Sequence, residues 1–161
     1  MLNPVMTSFV PVLQDWLRKT SAKRVWEWGP GLSTHVILSD APSLQSLTSV
    51  EHQAVWAEKI RGEVSDPRWT LLEKNVARRV SDYATCLLKE SQPFDLIFVD
   101  GRRRVECCFA AMLRLAPDGV IVLHDASRKA YTDLLDPHIA ILDFRRDTLV
   151  FRPSAYLTSG N

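Results

Sequence analysis

The 161-residue chain is 46% hydrophobic and 24% charged, the composition of an ordinary globular protein with enough length for one core, so it is read as a single domain over residues 1–161. A net charge of +1 gives no general attraction for nucleic acid or an anionic membrane surface. No apolar run approaches a membrane span, and the start, MLNPVMTSFV, lacks the basic residues and long apolar core of a signal peptide, which leaves the cytoplasm as the expected location.

Residues Ser8 to Thr20 place Phe9, Val12, Leu13, Trp16 and Leu17 at helical spacing, and Trp16 is assigned to the core. The segment RVWEWGPGLST, Arg24 to Thr34, reads as a short buried strand, a glycine turn and a helix start. Gly29 and Gly31 suit a turn with backbone angles closed to other residues and leave room for a ligand beside the main chain. Ser33 and Thr34 are capping residue types, so the helix from Ser33 to Ser39 would aim its first N–H groups back at the turn. Leu44 to Glu51 contains a second strand, Ala54 to Glu63 a helix, Trp69 to Glu73 a third strand, and Asp82 to Glu90 a helix with Ala84, Leu87 and Leu88 inward.

Phe94 to Asp100, FDLIFVD, is the clearest strand, nearly all apolar as expected when helices cover both faces. Gly101 turns the chain into a helix from Arg103 to Ala116. Pro117-Asp118-Gly119 reads as a turn, Val120 to His124 as a fifth strand, and Tyr131 to Leu135 as a helix closed by Pro137. Ile139 to Phe144 and Thr148 to Phe151 form a hairpin around Arg145-Arg146-Asp147. Cys86, Cys107 and Cys108 match no disulfide framework or zinc spacing and read as buried free thiols. The alternation predicts a three-layer α/β sandwich: a mostly parallel seven-stranded sheet closed by a C-terminal antiparallel hairpin.

Ligands of such sheets bind beyond the carboxyl ends of the strands. Glu27 with its turn, Glu51, Asp100 and His124-Asp125 all fall there. Glu51 ends the strand after the glycine turn, the position of a carboxylate that holds ribose hydroxyls. A nicotinamide site would want a third glycine where Thr34 stands and an apolar residue where Glu27 stands. A carboxylate in that buried position calls for a donor or a positive charge. A ligand with an ammonium group would supply it, and its carboxylate could sit at the helix N-terminus near Ser33 and Thr34. An amino acid joined to a nucleoside fits both, and S-adenosylmethionine is the common example.

With VWEWGPGLST at 25–34, SVEH at 49–52, FDLIFVDGR at 94–102 and GVIVLHD at 119–125, the chain resembles the class I S-adenosylmethionine-dependent methyltransferases, whose fold is Rossmann-like. The run from Phe94 to Tyr131 also resembles a subgroup of small methyltransferase domains with a VDGR turn and a terminal HD, among them glucuronoxylan O-methyltransferase-like proteins. The resemblance implies that Glu27 meets the cofactor's amino group, that Gly29 and Gly31 line its methionine part, and that Ser33 and Thr34 lie near its carboxylate. It further implies that Glu51 takes the ribose hydroxyls, that His52, Asp82 and Tyr83 lie at the adenine, and that Asp100 lies under the transferred methyl. Ser33 in place of a third glycine is the departure from the pattern.

The reaction expected is in-line methyl transfer to an oxygen, with His124 as base and Asp100 or Asp125 orienting it. Arg102, Arg103 and Arg128 would bind an acidic, small or saccharide-like acceptor. Three arginines at a helix start need compensation, and Asp100 is one candidate for it. A divalent ion at Asp100 and Asp125 is the less favoured alternative, so no metal is assigned. Two rival readings stay open: a non-catalytic S-adenosylmethionine-binding or assembly module, and a nicotinamide-dependent oxidoreductase. A homo-oligomer that completes the pocket also stays open.

Overall fold

A computed structural model describes residues 7–77 and 82–154. Its elements run in the order α1 (Val10–Lys19), β1 (Arg24–Trp28), α2 (Leu32–Asp40), β2 (Ser46–Glu51), α3 (Ala54–Glu63), β3 (Trp69–Glu73) and α4 (Asp82–Thr85). After a 3₁₀ turn follow β4 (Phe94–Val99), α5 (Arg104–Met112), β5 (Leu115–Leu123), α6 (Lys129–Leu135), a second 3₁₀ turn, β6 (Ile139–Arg145) and β7 (Thr148–Pro153). The seven strands form one sheet in the order β3-β2-β1-β4-β5-β7-β6. All pairs are parallel except β5–β7 and β6–β7. This is the expected sandwich with its closing antiparallel pair.

Period-two alternation divides the central strands between two cores. Trp26, Trp28, Ile97, Val99, Ile121 and Leu123 face one layer, with Cys107, Cys108 and Ala111 of α5 and Leu135 of α6. Val25, Leu96, Phe98, Val120 and Val122 face the other, with Val12, Leu13 and Leu17 of α1 and Val36 and Ile37 of α2. Trp16 is partly buried at the edge of that layer, where its indole N–H donates to Asp143 (3.0 Å).

Several local expectations change. The helix foreseen over Asp82–Glu90 is one α-turn followed by a 3₁₀ turn. The helix foreseen from Arg103 ends at Met112, with Leu113 exposed beyond it. Pro117-Asp118-Gly119 is not a turn but lies inside β5. The strand absorbs it as an irregularity: Phe94 pairs with Leu115 and Leu96 with Val120, so extra residues loop out on the β5 side. The guanidinium of Arg152 satisfies the carbonyls this frees, donating to Gly119 (2.8 Å) and Asp118 (2.7 Å).

Candidate functional site

The carboxyl ends of β1, β2 and β4 open onto a cavity of about 510 Å³. Its walls are the turn from Gly29 to Ser33, the segment Glu51-His52-Gln53 and the segment from Asp100 to Arg104. Phe9, Trp56, Arg128 and Tyr131 close its sides. Of the residues read at strand ends, the glycine turn, Glu51 and Asp100 line this cavity, and Glu27, His124 and Asp125 do not.

The two turns interlock. Gly29 has φ +85°, a left-handed conformation that favours glycine, and a Cβ there would come within 2.8 Å of the Gly101 nitrogen. A Cβ on Gly101 would in turn strike the Tyr83 hydroxyl. Gly31 differs from the expectation: its φ of 173° is ordinary extended backbone. Gly31 stands at the N-cap of α2, and the Thr34 hydroxyl accepts its N–H (3.0 Å). Ser33 and Thr34 are thus inside the first turn of the helix rather than its cap.

Their hydroxyls serve Glu27. Alternation along β1 turns this side chain toward the α2 layer, opposite Ser49 of β2. Ser33 (2.5 Å) and Thr34 (2.8 Å) of α2 and Ser49 (2.6 Å) all donate to the carboxylate, which has no exposed surface. Burial pushes its pKa up to about 7, against the pull of the three hydroxyls and helped by the nearby charge of Asp100. The groups that hold the carboxylate are hydroxyls rather than an arginine. Neither Glu27 nor Thr34 lines the cavity, whereas Ser33 does.

Glu51 is nearly buried at the cavity wall. Its Oε1 accepts the N–H groups of His52 and Gln53 (2.7 Å each) at the start of α3, which fixes the carboxylate. His52 Nδ1 lies 2.8 Å from the same oxygen without hydrogen-bond alignment. The His52 ring meets Tyr83 edge-on, centroids 5.9 Å apart. Across the cavity mouth, the Trp56 indole N–H donates to the Pro30 carbonyl (2.7 Å) and holds the glycine turn against α3.

Asp82 and Tyr83 depart from the expectation. Neither lines the cavity. Tyr83 is wholly buried, its carbonyl accepts the Trp28 indole N–H (2.9 Å), and its hydroxyl accepts the Arg102 N–H (3.3 Å). It supports the Gly101 turn from beneath. Asp82 pairs with Lys74 (3.6 Å).

His124 and Asp125 also lie behind the cavity rather than in its lining. His124 is 5% exposed, with Nδ1 3.0 Å from Asp100 Oδ1 and Nε2 3.2 Å from the Ser8 hydroxyl. The Phe9 ring packs edge-on against it, centroids 5.0 Å apart. Burial lowers its pKa, but the hydrogen bond and charge of Asp100, with the charges of Asp125 and Asp147, outweigh it and raise the net value. Held at both ring nitrogens, His124 stands outside the cavity lining, where the expected base would have to meet the acceptor.

Arg104 stood out in the sequence only as one of a run. It forms ion pairs with Asp100 (2.9 Å) and Asp125 (3.0 Å), so the foreseen compensation by Asp100 is met. Arg103 caps α5 in a left-handed conformation and pairs with Glu106. Arg128 pairs with Asp125 (3.2 Å) and lies over the Tyr131 ring. With Arg102 these arginines line the cavity, three of them beside carboxylate partners. Sequence reasoning did not find Phe9, Trp56 and Tyr131 as site residues. Trp56 carried the one available signal, an aromatic five positions beyond Glu51.

A family model described as "Methyltransferase domain" matches residues 26–126. A search of curated protein sequences returns no match. Among solved structures, the chain is similar to a methyltransferase-like protein from Silicibacter pomeroyi (TM-score 0.71, 20% identity, 98% of this chain and 92% of that one). It is also similar to an O-methyltransferase from Bacillus cereus in complex with SAH (TM-score 0.72, 17% identity, 94% and 81%). A third is the MycE methyltransferase of the mycinamycin biosynthetic pathway, in complex with Mg and SAH (TM-score 0.68, 15% identity, 93% and 47%).

Proposed function

Since the chain belongs to the methyltransferase-domain family, a class I S-adenosylmethionine-dependent group, we propose that it transfers a methyl group to an oxygen of a small, acidic or saccharide-like acceptor. The observation that carries this reading is the cavity shared by the Gly29–Ser33 turn, Glu51 and Asp100. S-adenosylmethionine supplies the electrophilic methyl group when bound.

The chain's own residues supply binding and alignment. Glu51 is fixed through Oε1 by two backbone N–H groups, which leaves Oε2 for the ribose hydroxyls. His52 borders the adenine. The glycine turn and the first N–H groups of α2 receive the amino-acid carboxylate, with Ser33 beside it. Glu27 answers the ammonium group from beneath the turn, through Ser33 or a water, since its carboxylate is enclosed.

Arg102, Arg103 and Arg128 hold the anionic acceptor, and bidentate guanidinium contacts orient it for in-line attack. Asp100 lines the same cavity. It is the carboxylate placed to take a hydroxyl proton, and His124 behind it is a positioning residue. The arginines suit an acceptor that carries a carboxylate or a phosphate.

Calorimetry with S-adenosylhomocysteine tests the cofactor assignment. Replacing Glu51 by Gln removes the charge that holds two hydroxyls and should weaken binding about 10- to 100-fold. Unchanged affinity would remove Glu51 from the site, and tighter binding of NAD than of S-adenosylhomocysteine to the wild-type chain would reject the class of cofactor.

A further inference from the structure

We infer that Arg104 is the resident cation of the strand-end carboxylate pair, and that its guanidinium keeps a divalent metal out of this site. Asp100, His124 and Asp125 bring one ligand atom each within 4.8 Å of one another. Two carboxylates at that separation, with carbonyl oxygens nearby, make a donor set of the kind a hard divalent ion takes. Here the place between them is filled by the protein itself.

The guanidinium has five N–H donors, and five oxygens face them. Nε donates to the Gly101 carbonyl (3.0 Å). Nη1 meets the His124 carbonyl (2.7 Å) and Asp125 Oδ2 (3.0 Å). Nη2 meets the Asp100 carbonyl (3.2 Å) and Asp100 Oδ1 (2.9 Å). Three backbone carbonyls and two carboxylates are what an oxygen-seeking cation would coordinate, and one side chain satisfies them all. That side chain is only 12% exposed.

His124 fits a metal no better. Both ring nitrogens have partners inside the protein, Nδ1 on Asp100 and Nε2 on the Ser8 hydroxyl. A metal would have to break one of these contacts and expel a largely enclosed guanidinium, leaving its five donors to find water. Truncating one partner of a buried ion pair is far costlier than the pair's own net contribution. The arrangement also accounts for an arginine in the first turn of α5, where the helix dipole disfavours positive charge. The carboxylate pair at the strand ends holds it there. It follows that Arg104 is spent as a wall of the site and does not bind the acceptor, unlike Arg102. This inference stands on geometry alone and does not depend on the cofactor assignment.

The test is manganese binding to the metal-stripped full chain, followed by the loss of the free-ion electron paramagnetic resonance signal. Wild type should leave the signal intact, whereas Arg104→Met should bind one ion at least about tenfold more tightly, with a set of hard oxygen ligands newly vacated. Adding Asp125→Asn to that variant should abolish the gain. Wild type binding manganese as tightly as Arg104→Met would overturn the inference. So would a folded Arg104→Met that binds no ion, or a gain that survives Asp125→Asn. Should Arg104→Met fail to fold, Arg104→Lys serves instead. Its single ammonium cannot bridge both carboxylates, so its affinity should exceed that of wild type, and equality would overturn the inference. S-adenosylhomocysteine binding to wild type, with and without chelator, is measured alongside. Its absence would count against the cofactor reading while the manganese comparison judged this one.

Discussion

Glu27 allows the sharpest quantitative test. The perturbation is Glu27→Gln, a near-isosteric change that keeps an acceptor for the hydroxyls of Ser33, Thr34 and Ser49 and removes the titration. Burial raises the carboxyl to about 7 from its ordinary 4.5. A carboxyl whose folded pKa lies above its unfolded value stabilises the fold fully below the unfolded value, and that contribution is lost as pH rises through the folded one. The window is therefore roughly pH 4.5 to 7. Each tenfold change in proton affinity is worth about 1.4 kcal/mol, so raising the pH from about 5 to about 8 costs the wild-type fold roughly 2.5 kcal/mol that the variant does not lose. Urea unfolding of both proteins at about pH 5 and about pH 8 reads this difference directly. A stability gap that stays flat between the two pH values would show that Glu27 titrates as an ordinary carboxyl, and the argument from its enclosure would fail. The raised pKa has a binding consequence as well. A ligand ammonium near Glu27 would favour its charged form, so S-adenosylhomocysteine binding near neutral pH should release a fraction of a proton, seen as a dependence of the calorimetric enthalpy on buffer ionisation.

The interlocked turns predict that Gly101→Ala destabilises the chain by about 2–3 kcal/mol, because the new methyl meets a wholly buried tyrosine with no room to retreat; denaturant midpoints within error of wild type would contradict this. All three cysteines are buried and free, and burial pushes the Cys86 thiol up to about 11 and those of Cys107 and Cys108 higher still. An aromatic disulfide reagent should therefore find no reactive thiol in the native protein and three after denaturation. For His124 the raised pKa works in the same sense as for Glu27: its stabilisation is whole below about pH 6.5 and lost as pH climbs through the folded value. The advantage of wild type over His124→Gln should accordingly shrink between about pH 6 and about pH 9, and growth of that advantage would refute the upward shift.

The sequence alone determined the sheet and the position of its ligand end. The bounds of α3 and β3 match the periodicity residue for residue. FDLIFV reads as a central strand because Leu96 to Val99 alternate between the two helix layers. Glycine chemistry announced the first turn, and a carboxylate twenty residues beyond Gly31 marked a second wall of the cavity. These are short-range properties, carried by spacing along one segment. Tertiary structure decided which of the polar residues face the cavity and which are consumed by the fold. His124 looked catalytic by sequence, but Ser8, from 116 residues earlier in the chain, is bonded to its far nitrogen. Tyr83 looked like a ligand contact, but its hydroxyl is the support under Gly101. Arg104 could not be told from its two neighbours, because its seat between Asp100 and Asp125 is built from the ends of two strands. Hydrogen-bond donors and charges are matched by proximity in space, and proximity between distant segments is settled only when the layers pack.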